Sequence, residues 1–276
     1  MVQTFINDTQ RGEKAVSPKT AKNIHGILSK ALSEAVRIKY IAYNPANGCI
    51  LPKISKYDIK PLEAKEVTAF LQAIKDKPDE HLFFIALFTG MRLSELLGLR
   101  WSRINFETGV ITVDAQMLVK RGKDTERTLG IPKNGQPRSF KAAPAVLDRL
   151  CAVQAQQDAW QARAEEAWAN QLDLVFTDAI GHELPHATIE HRFTKIMEAI
   201  GAEGHRFHDL RHTFATEALR AGVDAKTISE ALGHASVAFT LDVYAGVTEA
   251  MQNDAADRIQ DAINRHTSPS TEVRQS

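Results

Sequence analysis

Residues 81–90, HLFFIALFTG, place the tightest limit on how this chain folds. The stretch reads as helix, yet Leu82 to Phe88 are apolar without a break and leave no polar face. A helix apolar on every side is a buried helix, because no orientation of it presents polar groups to water. Other elements have to wrap around it. The run is well short of the ~18 apolar residues of a membrane span. The N-terminus also lacks a signal-peptide apolar region, so the expectation is a cytoplasmic protein with no membrane partner. At 276 residues, 43% hydrophobic and 25% charged, the chain has material for one or two globular domains. Cys49 and Cys151 are too few and too far apart for a disulfide framework or a zinc ribbon, and read as reduced and structural.

Upstream of this helix the charge is lopsided, although the formal net charge is zero. Residues 1–60 hold ten Lys and Arg against four Asp and Glu, leaving that segment at +6 and the remainder at −6. Ser17-Pro18 starts a helix, Ser as N-cap and Pro in the first helical position, expected to run to about Lys39. At 100° per residue Ile24, Ile27, Leu28, Ala31, Leu32, Ala35 and Val36 share one face, with Lys19, Lys22, Lys30 and Arg37 opposite. The cationic stripe is either a solvated face or a track for a DNA backbone. Asn44-Pro45-Ala46-Asn47-Gly48 breaks the helix, and residues 52–61 resemble an interdomain linker.

Downstream of residue 61 an amphipathic helix, LEAKEVTAFLQAIKD, precedes the apolar one, and Gly90 interrupts before MRLSELLGLRW. Arg92 and Glu95 follow at i, i+3, either a surface pair of little consequence or a guanidinium fixed by the core. The period then changes. Residues 110–113 read as a strand, and residues 128–131 and 138–141 flank PKNGQP, whose Asn-Gly is a hairpin signal. A small antiparallel sheet is expected, with Lys133 at its tip. Residues 143–170 read as one long helix, broken or kinked near its middle, with Trp160 and Trp168 on one face. Residues 174–176 form a short buried extended piece, residues 181–185 a turn, and residues 187–200 a helix on Ile189, Phe193, Ile196 and Met197. The fold class is mainly α with a small antiparallel sheet, α+β.

Residues 205–244, HRFHDLRHTFATEALRAGVDAKTISEALGHASVAFTLDVY, concentrate the chemistry. His208, Arg211 and His212 fall at i, i+3 and i+4 on one helical face. Gly233 ends the apolar helix AKTISEAL and lifts His234 into a turn, and Tyr244 closes a second short helical pattern with Phe239 and Leu241. Imidazoles, a guanidinium and a phenol suit a phosphodiester. His208 and His212 also have the spacing of a helical zinc pair. Against zinc stand the short Asp209, the cation Arg211 between the two imidazoles, and the want of a third ligand other than His234. No metal or cofactor is therefore expected. Residues 248–263 carry Met251, Ala255, Ile259 and Ile263 at i+4 spacing, a helix able to pack on its own domain or on a neighbouring subunit. The tail from residue 267 reads as disordered.

TGMRLSELLGLRW, PKNGQPRS, HDLRHTFAT and LGHASVAFTLDVY, in this order and spacing, resemble the tyrosine recombinases of the phage integrase family, and within it the integrases of conjugative transposons. The likeness runs from about Ser17 to about Ile263. It implies a partial helical core-binding domain over residues 1–57, which binds DNA through Lys19, Lys22, Lys30 and Arg37, and a catalytic domain over residues 58–266. It further implies that the chain starts near the second helix of the core-binding domain and lacks the arm-binding domain usual in such integrases.

By the same likeness Tyr244 is the nucleophile that forms a 3′-phosphotyrosyl bond, Arg92 and Arg211 clamp the phosphate, and Lys133 protonates the departing 5′-oxygen. His208 matches the general base, His234 the second imidazole, and Glu95 an acidic residue that orients its neighbours. The implied function is site-specific recombination of double-stranded DNA by a homotetramer through a Holliday junction, in the bacterial nucleoid, with accessory bending or excision factors. Two alternatives remain open: the same chemistry used to relax supercoils or resolve hairpin ends, and a DNA-binding relative without activity.

Overall fold

A computed structural model describes residues 1–54, 60–120, 126–133, 135–233 and 236–243. The chain divides into two compact units, Met1–Asp58 and Ile59–Ser276. Among the described residues no helix is long and apolar enough to cross a membrane.

The first unit holds α1 (Val2–Asp8), which carries no clear sequence signal, and α2 (Pro18–Arg37). Ser17 caps α2 as its sequence anticipates, accepting the Thr20 N–H at 3.2 Å, with Pro18 in the first turn. The expected apolar face is only partly used. Ile27 is 75% exposed and Ala31 is exposed, while Ala21, in line with Leu28 and Leu32 on that face, is fully buried. The reason is where the returning chain lies. Asn44 donates from Nδ2 to the Ser29 carbonyl at 2.9 Å and the Ser33 hydroxyl at 2.8 Å, and His25 Nε2 bonds the Ala46 carbonyl at 3.0 Å. His25, Ser29 and Ser33 form a polar ridge at i, i+4, i+8, roughly a quarter-turn from the apolar stripe. Hydrogen bonds thus decide the docking side, and Ile27 is left in solvent. The ends of the unit are joined by Gln3, whose side chain donates to the Ile50 carbonyl at 3.0 Å and accepts its N–H at 2.7 Å.

In the second unit α3 (Ala64–Ile74), α4 (Glu80–Thr89) and α5 (Leu93–Leu97) come first. As its sequence requires, α4 is enclosed, with Leu82, Phe83, Ile85, Ala86 and Leu87 buried. It packs against α6 (Pro144–Ala164) and α8 (Phe207–Arg220). Phe70 of α3, Phe83 of α4, Phe193 of α7 (His186–Ala199) and Phe207 of α8 form a ring cluster with neighbouring centroids 5.7–6.1 Å apart. Edge-on aromatic contacts of this kind add about 0.5–1.5 kcal/mol each beyond area burial.

The strands differ from the sequence expectation. β1 (Ile104–Asn105), β2 (Val110–Val113) and β5 (Arg138–Lys141) form one antiparallel sheet in the order β1-β2-β5, Ile111 opposite Phe140. β3 (Gln116–Lys120) and β4 (Glu126–Gly130) form a second, Met117 opposite Leu129. The segments on either side of PKNGQP are therefore not paired with each other, and the loop crosses from one sheet to the other. Pro132 and Pro137 explain this: each lacks the N–H that a ladder across the loop would need. The partner of β4 is β3, a strand without a clear signal of its own.

α6 also departs from expectation. It runs without a break near its middle and stops at Ala164, where Glu165 takes a positive φ of 49°, so Trp168 is not on its face with Trp160. The extended residues 174–176 are buried as anticipated, pinned by Gln157 of α6, which donates to the Val175 carbonyl at 2.9 Å. α9 (Ala225–Leu232) and α10 (Val237–Val243) follow α8. The helix expected over residues 248–263 and the tail from residue 267 lie outside the described residues.

Gly90 ends α4 at φ 62°, and a Cβ there would stand 2.5 Å from Leu232 Cδ2 and 2.7 Å from Phe214 Cδ1. A side chain at this point has both a left-handed backbone and two packed neighbours against it. Gly90→Ala should destabilise the protein by about 1–3 kcal/mol, read as a lower urea midpoint; an unchanged midpoint would mean that the turn can move.

Candidate active site

Three chain segments distant in sequence meet at the turn after α4. Arg92 is the N-cap residue of α5, and its backbone N–H donates to Glu95 Oε2 at 2.9 Å, the reciprocal half of a capping box. Its guanidinium bonds Glu95 Oε1 at 2.7 Å and remains 21% exposed, turned towards an open cleft. Glu95 has no exposed side-chain surface. The pair that could have been a surface contact is instead half of a buried network.

The other half is a residue that the sequence does not single out. Arg138, at the start of β5, places its fork on the same carboxylate, at 3.0 Å to Oε1 and 2.6 Å to Oε2, and is 10% exposed. Burial alone would raise the Glu95 pKa. Arg138, by hydrogen bond and charge, and then Arg92 outweigh it and bring the group down to about 2. An arginine next to a loop proline and opening a short strand belongs to no periodic pattern, so nothing in its own segment marks it.

Arg211, on α8, is 2% exposed. It donates to the Gly90 carbonyl at 2.9 Å and to the Leu232 carbonyl at 2.7 Å. Arg138 Nε donates to the Ala231 carbonyl at 2.7 Å. The last carbonyls of α9, which no intrahelical N–H can satisfy, are thus capped by two guanidiniums. Gly233 ends α9 in the left-handed conformation, φ 64°, as anticipated.

His208 and His212 stand on the same face of α8, ring centroids 5.0 Å apart and edge-to-face. His208 is exposed at the first turn; His212 is buried. Partial desolvation, then His212, Arg211 and Arg92, push the His208 pKa down to about 4, with a weaker opposing pull from Asp209. Desolvation likewise lowers His212. His208 is therefore a neutral imidazole at pH 7, able to take a proton. Asp209 is 1% exposed and caps α8, accepting the Arg206 N–H at 2.7 Å. That use of Asp209, with Arg211 between the two rings, is a poor donor set for a dication. Among the described residues no group of three or more His, Cys, Asp or Glu could hold a metal ion.

The cleft, about 630 Å³, is lined by Arg92, Glu95 and Arg138, by Pro132 and Gln136 of the Lys133 loop, and by Gly233 beyond α9. Lys133 itself is exposed on that loop. The structure thus gathers Arg92, Glu95, His208 and Arg211 and sets the Lys133 loop on the rim. His234 and Tyr244 lie outside the described residues. Lys19, Lys22, Lys30 and Arg37 belong to the other unit, where Lys19, Lys30 and Arg37 are exposed, Lys22 is half-buried, and Arg37 is engaged by Glu34.

Residues 60–251 match the model of the phage integrase family. A tyrosine recombinase XerC-like protein of Caldanaerobacter subterraneus subsp. tengcongensis is 28% identical over 276 aligned residues, covering 94% of this chain and 70% of the relative. The ICEBs1 integrase of Bacillus subtilis is 24% identical, covering 91% and 68%. Among solved structures, the Tn1549 transposon integrase in complex with transposon right end DNA superposes with a TM-score of 0.77 at 22% identity, covering 92% of this chain and 84% of that one. That likeness carries the α+β fold expected from sequence.

A carboxylate held at about 2 instead of 4.5 contributes stability that is complete above pH ~4.5 and is lost as pH falls towards 2. Glu95→Gln leaves two half-buried guanidiniums facing an amide and should lower stability at pH 7 by roughly 3–5 kcal/mol. It should also flatten the pH dependence between 4.5 and 2. Urea midpoints across that range are the measurement, and equal curves for the two proteins would refute the account.

Proposed function

Since the chain belongs to the phage integrase family and is thereby a tyrosine recombinase, an enzyme of site-specific DNA cleavage and rejoining, we propose that Tyr244 is its nucleophile and that Arg92, Lys133, His208, Arg211 and His234 complete its active site. The supporting observation is that Arg92 and Arg211 both lie near enough to His208 to lower its pKa, with Arg92 also lining the cleft beside the Lys133 loop. Two cations and an unprotonated imidazole fit a phosphodiester that is about to gain charge.

The Tyr244 hydroxyl oxygen attacks phosphorus and its proton passes to His208. The bond from phosphorus to the 5′-oxygen breaks, and that oxygen takes a proton from the Lys133 ammonium. Arg92, Arg211 and His234 neutralise the five-coordinate phosphorane, the guanidiniums by forked hydrogen bonds that an ammonium cannot make. A phosphodiester anion beside the His208 ring favours its charged form and draws its pKa from about 4 towards the working range of a general base. Glu95 orients Arg92 without touching the substrate. The phosphotyrosyl bond retains the energy of the broken one, so the 5′-hydroxyl of another strand can attack it and rejoin the DNA, reversing each proton transfer, without ATP or a metal.

The partner is duplex DNA, held by the catalytic domain of residues 58–266 and by the basic helical domain of residues 1–57 through Lys19, Lys22, Lys30 and Arg37. Four protomers exchange strands in pairs through a Holliday junction, with accessory bending or excision factors, in the cytoplasm and on the bacterial nucleoid. The apolar stripe from Met251 to Ile263 docks on a neighbouring protomer.

Two measurements test this. A nicked duplex carrying the site that the protein selects from a random-sequence pool should trap an SDS-resistant protein–DNA adduct, insensitive to EDTA and absent with Tyr244→Phe; no adduct from the wild type, or an equal one from the variant, would end the proposal. Replacing Lys19, Lys22 and Lys30 together by Ala should weaken binding to all duplexes alike and make the slope of log K against log salt shallower by about 0.9 for each phosphate no longer neutralised; an unchanged slope would remove them from the interface.

A further inference from the structure

A lysine that must protonate one oxygen of a scissile phosphate needs a defined place, because a misplacement of ~1 Å can cost on the order of a hundredfold in rate. Lys133 is exposed on a loop closed by Pro132 and Pro137, whose own backbone cannot join a sheet ladder. What fixes the loop is attached at its two ends. On the upstream side Gln116 Nε2 donates to the Ile131 carbonyl at 2.7 Å, and Ser94 of α5 donates to Gln116 Oε1 at 3.3 Å. On the downstream side Arg138 is bonded through both terminal nitrogens to Glu95, the next residue of α5, and through Nε to Ala231 of α9.

From this arrangement, and resting on the role of Lys133 proposed above, we infer that Arg138 is a positioning residue for the acid step: it anchors the Lys133 loop to α5 and α9, so that Lys133 reaches the departing 5′-oxygen.

Three features separate this from a merely stabilising ion pair. The Glu95 carboxylate accepts four bonds, two from Arg92 and two from Arg138, which uses all of its lone-pair sites. Removal of Arg138 therefore leaves Arg92 with both of its own bonds to Glu95, and the phosphate clamp keeps its support. What disappears is the downstream tie of the loop to α5 and α9, leaving only its upstream end held through Gln116. The neighbouring backbone is also shaped to the Arg138 stem: a Cβ on Gly233 would lie 2.9 Å from Arg138 Cδ. Finally, the arrangement demands a fork. A lysine at this position can reach one carboxylate oxygen but cannot hold both and the Ala231 carbonyl at once.

The test follows from which proton is involved. On an ordinary phosphodiester the 5′-oxygen leaves only if protonated. When that bridging oxygen is replaced by sulfur, the phosphorus–sulfur bond breaks and a thiolate leaves without a proton. Adduct formation should be timed on nicked duplexes of both kinds for the wild type, Arg138→Ala, Arg138→Lys and Lys133→Ala, with DNA affinity and the thermal midpoint measured alongside. The expected result is a loss on the order of a hundredfold for Arg138→Ala on the ordinary duplex, a smaller loss of the same pattern for Arg138→Lys, recovery of both on the sulfur duplex as for Lys133→Ala, and unchanged DNA affinity. If Arg138→Ala fails to fold, Arg138→Lys carries the same comparison. Wild-type rates in the Arg138 variants, or an equal loss on both duplexes, would overturn the inference while leaving the active-site reading intact. Full activity of Lys133→Ala on the ordinary duplex would overturn both.

Discussion

The buried carboxylate of Glu95 is the point at which the catalytic unit is joined. A charged oxygen pair enclosed by protein is stable only with partners of the opposite sign and with its lone pairs satisfied. Here the partners come from residues 92 and 138, which lie on either side of the β3–β4 sheet in sequence. The desolvation that would neutralise Glu95 is offset by two guanidiniums, and the group stays ionised far below neutral pH. That requirement draws the turn after α4, the start of β5 and, through Arg138, the end of α9 to a common centre. The apolar helix α4 supplies the rigid support beneath it.

Gly90 complements this centre from the other side. Its carbonyl receives Arg211, and its missing side chain leaves room for Phe214 and Leu232. Arg92 begins the helix that follows the turn and Arg211 grips the turn itself, so the separation of the two guanidiniums is set by one short piece of backbone. Neither arginine depends on a loose surface side chain, and Arg211 is almost wholly enclosed. Like charges repel, and a scaffold held by core packing keeps both arginines in place against that repulsion.

Local chemistry in the sequence is legible where a local rule decides the outcome. Ser17 and Pro18 start α2, Gly233 stops α9, and the uninterrupted apolar run of α4 is buried. Legibility fails where a partner far along the chain decides. The Asn-Gly signal suggests a hairpin, but pairing is set by which strands meet, and Pro132 and Pro137 release the loop from any ladder. The apolar face of α2 is real as a pattern, yet Asn44 and His25 choose the side on which the returning chain docks, and Ile27 stays bare. At the site, Arg92, Glu95, His208 and Arg211 stand out because they sit in motifs of recognisable spacing. Arg138 lies within PKNGQPRS but is not singled out there, because its importance comes from a residue in another segment, and an arginine beginning a four-residue strand looks like any surface arginine.

The end of α9 sharpens one further point. A helix terminates in carbonyl oxygens whose aligned dipoles make that end negative, and this one ends at the cleft that Arg92 and Arg138 line. Bare, it would push away an anion there. Arg138 on the Ala231 carbonyl and Arg211 on the Leu232 carbonyl offset that negative end. The guanidiniums thereby act on the field of their own scaffold before they act on any ligand. A helix that would otherwise repel DNA becomes a neutral wall, from which the chain turns away at Gly233.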